Sequence, residues 1–388
     1  MSRSTDAPRS TDVLIAGAGP AGLALACALH DRGLRVRLLE QADAAVLARP
    51  ANDGREIALT HRSRRLLESL GLWARLPEIS PLRRASVRSS GTRVPLPFES
   101  AGQDLGWLVS NCHLRAAAWA GVQERGIELL CGQRVTGFEA GARSARLRTA
   151  DGHAHEAPLV VAADSRFSAV RRLAGLGARH HDFGRSALLV PLAHERDHEG
   201  LAQECFLQGH TLALLPMTGQ RSSAVWTLSN DELPGVLALD DTALAARIEA
   251  AAEGRLGAMR VAGERHVYPL VAVWAQRFVG PRIALIGDAA VGMHPVTAHG
   301  YNLGLYGIEA LASRLDAADP GAPGPLAAYE AEHRRAAGPL YLGTNALVRF
   351  FTDDRPPVLA LRRAVIDLAR HVPPLRAAIT RRLVDAAG

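Results

Sequence analysis

Apolar and polar residues follow one another along the start of the chain in runs that predict a β-α-β unit. Residues 12–16 form a short apolar run that ends in glycines, and an Ala/Leu-rich stretch follows at residues 20–31. A second apolar run covers residues 35–40. Short continuous apolar runs are typical of strands buried on both faces, so we predict strand, helix and strand in that order.

Similar runs predict that this sheet continues far downstream. Helices are expected at residues 62–70 and 113–125, the second of them followed by a strand at residues 127–130. Residues 159–163 and 283–286 again have the composition of strands buried on both faces. The pattern therefore favours an α/β fold whose parallel sheet is built from separated parts of the chain.

The region from about residue 177 to residue 276 has a different pattern. Apolar and polar residues alternate at 187–192, 211–215 and 223–228, which predicts an antiparallel sheet. From Tyr301 onward the chain is expected to be helical. Beyond Pro325 we predict three helices, separated at Pro339, Pro356-Pro357 and Pro373-Pro374.

Composition and charge exclude several classes of protein. The net charge is +6, but the chain has no lysine and its 45 basic residues are dispersed arginines, which disfavours nucleic-acid binding. Four separated cysteines form no C-x-x-C pair, which argues against a zinc knot and fits a reducing cytoplasm. The polar N-terminus does not resemble a signal peptide, and no apolar run reaches the length of a membrane span.

A glycine motif lies where the predicted first strand meets the first helix. Gly17-Ala18-Gly19-Pro20-Ala21-Gly22 has the G-x-G-x-x-G spacing of dinucleotide-binding loops, and Glu40 ends the next predicted strand. In such loops the first glycine permits the tight turn, the second lets the backbone approach a pyrophosphate, and the third allows close helix packing. An acidic residue at position 40 favours FAD or NAD over NADP.

A second group of short side chains follows the predicted strand at residues 283–286. Gly287-Asp288-Ala289-Ala290 would lie at the carboxyl end of this strand, where open α/β sheets bind ligands. Asp288 could bind a ribityl hydroxyl. The segment from His294 to Asn302 then precedes an apolar helix, whose N-terminus would direct its positive end at an anionic group.

These motifs resemble a known family. The glycine motif, Ala163 to Arg171, and Gly287 through Leu305 are similar in order to the three fingerprints of class A FAD-dependent aromatic monooxygenases. The branch they resemble most is the ubiquinone-biosynthesis hydroxylases, relatives of para-hydroxybenzoate hydroxylase. The resemblance implies a flavin-proximal arginine at Arg55. The residues it implies for cofactor binding are Gly17, Gly19, Pro20, Ala21, Gly22, Glu40, Gln41, Arg55, Asn111, Val135, Asp164, Gly287, Asp288, Pro295, Ala298, Gly300, Tyr301 and Asn302.

The chain departs from the family pattern at two positions. The second fingerprint usually reads Asp-Gly, whereas here Ser165 follows Asp164 in a turn expected to need a positive φ. The flavin loop usually contains glutamine where this chain has His299. A histidine beside the flavin could take part in catalysis, so we assign His299 and Arg55 as candidate catalytic residues. The alternative for His299 is a packing role.

The resemblance implies a Rossmann-like FAD-binding domain with an inserted antiparallel-sheet substrate domain and C-terminal helices. The implied activity is hydroxylation of an aromatic or quinone-precursor ring with NADH or NADPH and O2, through a flavin hydroperoxide. The expected division is a flexible tail at 1–11, the FAD-binding domain at 12–80, 105–176 and 277–325, the substrate domain at 81–104 and 177–276, and a helical region at 326–388.

Other interpretations remain open from the sequence. An aromatic hydroxylase of secondary metabolism, an FAD-dependent reductase and a non-catalytic FAD-binding assembly partner would all carry these motifs. The basic stretch at residues 361–383 could contact a membrane or simply face solvent. His194-Glu195-Arg196-Asp197-His198 has the H-E-x-x-H spacing of zinc proteases, but its context predicts a hairpin tip, so no metal site is expected.

Overall fold

The computed structural model describes residues 11–89, 94–100, 102–297 and 299–353, and beyond these residues 355, 357, 358, 361, 364 and 365. Ala298, the tail at residues 1–10 and most of the basic stretch at residues 361–383 lie outside the described residues. The predicted helix breaks at Pro356 and at Pro373-Pro374 also lie outside them.

A six-stranded sheet forms the centre of the first unit. Its strands, in spatial order, are Val279–Gly280, Ile283–Leu285, Leu159–Ala162, Val13–Ala16, Val36–Leu39 and Glu128–Leu130. All neighbours run parallel except the first pair. The two central strands are buried along their whole length, as their unbroken apolar sequences predict. Parallel strands present their carboxyl ends at one edge, so the residues after Ala16, Ala162 and Leu285 meet there.

Helices cover this sheet and carry its loops. The α-helices of this part are Pro20–His30, Ala44–Ala48, His61–Ser69, Asn111–Glu124, Ala169–Leu173 and Gly300–Arg314, with 3-10 turns at Trp73–Arg75, Gly287–Ala289 and Pro295–Thr297. Pro20 stands in the first helical turn, where its missing N–H costs no hydrogen bond. The helix that it begins is buried from Gly22 to Leu29.

A nine-stranded sheet forms the second unit. Its strands, in spatial order, are Val291–Gly292, His266–Ala275, Ala178–His194, Arg221–Ser229, Thr211–Met217, Leu201–Phe206, Arg84–Ser89 and Leu96–Glu99, with Met259–Val261 beside Ala178–His194. The sheet is antiparallel, as predicted, except that Leu201–Phe206 and Arg84–Ser89 run parallel. The short strand Val291–Gly292 was missed in the sequence, and it joins this sheet directly after the segment that carries Asp288.

One face of the nine-stranded sheet is filled by a hydrophobic core. Leu188, Val190 and Trp226 point to this face and pack with the helices Leu233–Leu237 and Asp241–Ala251. Because side chains alternate across a strand, the neighbouring residues Leu189 and Val225 face the opposite side. That opposite face is the one turned toward the predicted flavin loops.

Two small sheets were not predicted. One contains Val135–Ala140, Ala145–Thr149 and Ala154–Ala157, and the other contains Glu56–Leu59, Gly106–Ser110 and Ser80–Leu82. Their strands are three to six residues long, which leaves little alternation from which to predict them.

The prediction that Pro339 separates two helices was wrong. A single helix, Pro323–Thr352, runs through Pro339. Tyr329 and Ala337 are fully buried before the proline, and Val348 is buried after it. Packing on both sides therefore outweighs the cost of the missing N–H, which normally kinks or ends a helix. Among the described residues, no helix is long and apolar enough to cross a membrane.

Candidate active site

The glycine motif forms a tight loop at the carboxyl end of the central strand. Gly17 has a φ of +106°, and a Cβ built on it would lie 2.5 Å from the carbonyl oxygen of Ala163. A Cβ on Gly22 would lie 2.0 Å from the carbonyl oxygen of Gly17. Both positions therefore require glycine because a side chain would collide with the backbone of the protein itself.

Gly19 differs from the other two glycines of the motif. A Cβ built on Gly19 would meet no atom within 4 Å, so nothing in the protein excludes a side chain there. Gly19 is also the N-cap of the helix Pro20–His30, and no side chain caps this helix end. Open space beside unsatisfied N–H groups at a helix start is the arrangement that accommodates a phosphate.

Glu40 lies beside this loop at the end of its strand. Its Oε2 accepts a hydrogen bond from Ala18 N at 2.6 Å, and its Oε1 accepts one from Ala42 N at 2.9 Å. The neighbouring Gln41 is exposed, whereas Val135 is partly buried against the core. The carboxylate is thus held in place at the edge of the sheet, where it can reach a ribose.

Asp164 supports the turn that follows the neighbouring strand. Its Oδ2 accepts hydrogen bonds from Ala169 N at 2.8 Å and Val170 N at 3.1 Å, and its Oδ1 accepts one from Ser168 Oγ. The carboxylate therefore caps the helix Ala169–Leu173. Ser165, directly after it, has a φ of +110°, so the turn needs the positive φ that glycine would adopt without strain.

Asp288 lies in the 3-10 turn after the strand Ile283–Leu285. Its Oδ2 accepts hydrogen bonds from Nε and Nη2 of Arg166, at 3.2 and 3.0 Å. Gly287 has a φ of +54°, and a Cβ on it would lie 3.3 Å from the Cβ of Ala21. The second and third motifs are therefore joined by an ion pair, and the third packs closely on the glycine loop.

Arg55 belongs to a cluster centred on Asp53. Oδ2 of Asp53 accepts hydrogen bonds from Nε of Arg55 at 3.0 Å and from Nδ2 of Asn111 at 2.7 Å. Burial alone would raise the pKa of Asp53, but these partners hold that pKa below its usual value. The guanidinium of Arg55 lies 5.4 Å from the ring centroid of Tyr268. Asp53 thus brings together Arg55 and Asn111, which the sequence predicted as cofactor contacts. Asp53 itself was not predicted as a site residue.

The helix Gly300–Arg314 begins at the same edge of the sheet. Its N-cap is His299, and no side chain caps the helix end. Asn302 is buried, with its Oδ1 accepting from Thr60 N at 3.0 Å and its Nδ2 donating to Ala58 O at 2.7 Å. The Asn302 amide therefore ties this helix to the segment before His61.

The remaining predicted loop residues lie around this helix start. Pro295 is exposed at the start of a 3-10 turn, whereas Tyr301 is partly buried and its pKa is raised by burial. His299 is buried and lines a small cavity that also contacts Thr60, Ser63 and Tyr306. This cavity lies between the helices His61–Ser69, Gly300–Arg314 and Pro323–Thr352.

A second histidine of the same loop was not singled out in the sequence. His294 is 4% exposed, and its ring lies 4.8 Å from that of Phe183 in an edge-to-face arrangement. Burial, together with the positive charges of Arg185 and Arg166, lowers the pKa of His294 to about 4. The histidine is therefore neutral at physiological pH.

The free face of the nine-stranded sheet is apolar where it approaches these loops. We call this surface the sheet-face cluster; its members are Ala187, Leu189 and Leu270, with Phe183, Val225 and Tyr268 packed against them. The hydroxyl of Tyr268 donates a hydrogen bond to Asp53 O at 2.8 Å. The loop of Asp53 thus lies against one part of the cluster, and the loop of His294 against another.

Glu204 lies on the same face of the sheet, in one cross-strand row with Leu189, Val225 and Ala213. It is partly accessible, and among the described residues its carboxyl group has no hydrogen-bond partner that would compensate its burial. Burial raises the pKa of Glu204 to about 8. No regular motif surrounds Glu204, so only the register of the sheet reveals its position.

The arrangement fits FAD. The helix starts at Gly19 and Gly300 both lack a side-chain cap, and both lie at the edge of the sheet where its parallel strands end. The open space at Gly19 would admit the pyrophosphate, Glu40 would bind the adenosine ribose, and Asp288 would bind the ribityl chain. The second helix start would face the negative edge of the flavin ring.

The H-E-x-x-H segment does not form a metal-binding helix. His194 ends the strand Ala178–His194, and its Nε2 lies 3.0 Å from Ser222 Oγ. His198 lies in the turn before the next strand, with its Nε2 2.7 Å from the carbonyl oxygen of Met217. The segment is a turn after a strand, as predicted, but it is not a hairpin tip, because Ala178–His194 and Leu201–Phe206 are not paired with each other. In the described part of the chain, no group of three or more His, Cys, Asp and Glu side chains could hold a metal.

Comparison with known proteins agrees with this site. The family model of the FAD binding domain matches residues 10–341. Ubiquinone hydroxylase UbiM of Neisseria meningitidis is 40% identical, over 96% of this chain and 84% of that protein. Ubiquinone hydroxylase UbiL of Rhodospirillum rubrum is 39% identical, over 95% of this chain and 88% of that protein.

A solved structure shows the same fold. p-Nitrophenol 4-monooxygenase PnpA of Pseudomonas putida superposes with a TM-score of 0.78 at 18% identity, over 97% of this chain and 98% of that one. The chain therefore belongs to the FAD-binding-domain family, and it is an FAD-dependent hydroxylase of the class A flavin monooxygenases, in the branch of the ubiquinone hydroxylases.

Proposed function

We propose that this hydroxylase acts on the aromatic ring of a ubiquinone precursor, with NADH or NADPH as reductant and O2 as the source of the added oxygen. Two relatives at 40% and 39% identity are ubiquinone hydroxylases, and each aligns over most of both chains. FAD, when bound, would accept electrons from the nicotinamide and supply the redox chemistry that activates O2. The protein must orient the ring, exclude water and manage protons.

The sheet-face cluster is the observation that supports this proposal. Its aliphatic and aromatic side chains form an apolar surface that suits a flat ring. The loops of Asp53 and His294, which carry or adjoin the proposed flavin contacts, lie against this surface. A ring bound on the cluster would be enclosed between the sheet and the flavin.

We assign the contacts with FAD to residues that the sequence predicted. Gly19 and the helix start after it would bind the pyrophosphate, while Glu40 and Asp288 would bind the two sugar parts. Arg55, held by Asp53, would contribute positive charge near the flavin. His299, at the start of the helix Gly300–Arg314, is the proposed catalytic histidine, with a role in moving a proton at the ring.

Purified protein loaded with FAD tests the proposal. We expect a prenylated phenol to increase the rate of NADH or NADPH oxidation and to gain one oxygen atom from isotopically labelled O2, as measured by mass spectrometry. Oxidation that no phenol stimulates would contradict hydroxylation of an aromatic ring. Reduction of the prenyl chain without oxygen incorporation would instead identify a reductase.

The His299→Gln variant tests the histidine. Glutamine keeps a hydrogen-bonding group but cannot carry a proton between pH 6 and 9, so we expect FAD to remain bound while more reducing equivalents are released as hydrogen peroxide. Peroxide and hydroxylated product are measured together across this pH range. Equal coupling and the same pH profile in both proteins would assign His299 a packing role.

A further inference from the structure

His294 has one ring nitrogen that is satisfied by the protein and one that is not. Its Nδ1 accepts a hydrogen bond from Val296 N at 3.1 Å, so Nδ1 carries no proton in the neutral ring. The proton is therefore on Nε2. Nε2 is buried, and it has no hydrogen-bond partner among the described residues.

The surroundings keep this donor neutral and place its ring beside the sheet-face cluster. The His294 ring lies against Phe183, a member of the sheet-face cluster, and the positive side chains nearby are Arg166 and Arg185. Arg166 is bound to the carboxylate of Asp288, and Arg185 donates to the carbonyl of Gly209. Neither arginine offers an acceptor to Nε2, since a guanidinium only donates.

A buried N–H without an acceptor is unfavourable, and such groups in native proteins usually have a partner that is a ligand or an ordered water. An acceptor on a molecule bound between the loop and the sheet-face cluster would satisfy Nε2. A phenolic ring seated on that cluster carries such an acceptor in its oxygen.

We propose that Nε2 of His294 donates a hydrogen bond to the phenolic oxygen of the bound ring. This inference rests on the proposed function, because it assumes that the site binds a phenol. A neutral donor stabilises the phenolate more than the phenol, and the two arginines act in the same direction. His294 is thus a substrate-binding residue that would hold the ring oxygen in the anionic, electron-rich form.

Two substitutions separate the two nitrogens. His294→Asn places an amide near the position of Nδ1, so it can keep the hydrogen bond with Val296 while removing the Nε2 donor. His294→Gln places its amide nitrogen near Nε2, so it keeps the donor and loses the bond to the loop. His194→Asn, at the hydrogen-bonded end of the strand Ala178–His194 and away from the loop, is the matched control.

The probe is 4-nitrophenol, whose phenolate absorbs visible light and whose pKa lies near neutrality. Difference spectra of the FAD-loaded proteins, recorded over pH, give the pKa of the bound probe and its dissociation constant. We expect the wild type, His294→Gln and His194→Asn to lower the pKa of the probe. His294→Asn should bind the phenolate about tenfold more weakly and raise the bound pKa by about one unit.

Three outcomes would overturn the inference. If His294→Asn behaves as the wild type while His294→Gln does not, the histidine serves the loop alone. If His294→Asn changes the flavin spectrum in the absence of phenol and leaves the affinity and pKa of the probe unchanged, Nε2 of His294 donates to the cofactor. If the wild type retains FAD but binds no 4-nitrophenol, the phenol site itself is wrong, and the proposed function fails with the inference.

Discussion

Arg166 binds only one of the two carboxylate oxygens of Asp288, since both Nε and Nη2 of the arginine donate to Oδ2. The two residues follow neighbouring strands of the six-stranded sheet, so the ion pair joins the ends of these strands. Oδ1 of Asp288 has no hydrogen-bond partner in the part of the chain that the structure describes. We expect this oxygen to bind a ribityl hydroxyl.

Replacing Asp288 with alanine should weaken FAD binding by about 1.5–3 kcal/mol, because one charge-assisted hydrogen bond to the cofactor is lost. The dissociation constant is measured by titrating FAD into apoprotein and following flavin fluorescence. Glu128→Ala, which removes an exposed carboxylate paired with Arg37, is the control and should bind FAD normally. Equal affinity in the Asp288 variant would place this carboxylate outside the cofactor site.

Substitutions at Gly19 and Gly22 separate two roles of the glycine loop, cofactor binding and folding. Gly22→Ala should reduce the free energy of unfolding of the apoprotein by about 1–3 kcal/mol, because its Cβ would meet the carbonyl of Gly17. Gly19→Ala should leave that free energy nearly unchanged and weaken FAD binding, because its Cβ would occupy space left open for the pyrophosphate. Normal FAD binding by Gly19→Ala would show that the pyrophosphate lies elsewhere.

Ser165→Gly should stabilise the protein. Serine at a φ of +110° is strained by about 1–2 kcal/mol, and glycine adopts this conformation readily. Urea unfolding of the two proteins should show the gain as a higher midpoint with an unchanged slope. Ser165→Ala keeps the strain and should show no gain, so a comparable gain there would refute the explanation.

Glu204 should make stability depend on pH. Its folded pKa of about 8 is raised above the usual value of 4.5, so its contribution to stability is present below pH 4.5 and is lost as the pH rises through 8. The loss should be about 1 kcal/mol per pH unit between these values. Glu204→Gln should remove it. Parallel pH profiles of unfolding free energy in the two proteins would show that Glu204 ionises normally.

The glycine loop was predictable because its requirements are local. Gly17 and Gly22 are fixed by contacts with residues of the same three motifs, and the motifs are adjacent because parallel strands end together. The positive φ at Ser165 was predictable for the same reason, and the structure confirms it. These features depend on short stretches of chain whose spacing is visible in the sequence.

Residues whose roles depend on sheet register or tertiary packing were missed. Nothing around Glu204 distinguishes it from an exposed strand residue until the strands are paired. His294 was not predicted as a site residue, because the side chain that contacts it, Phe183, lies on a strand distant in the sequence. Pro339 suggested a helix end, and only the packing of the helix on both sides of it shows why the helix continues.

The pairing of Val291–Gly292 with His266–Ala275 has a consequence for how such enzymes diversify. The backbone that leaves Asp288 is hydrogen-bonded to the nine-stranded sheet before it reaches His294, so main-chain atoms set the distance between the Asp288 loop and this sheet. Side chains on the sheet face can then change through mutation without moving the loop of Asp288, the proposed cofactor contact. New substrates can be acquired in evolution while the oxygen chemistry is inherited intact.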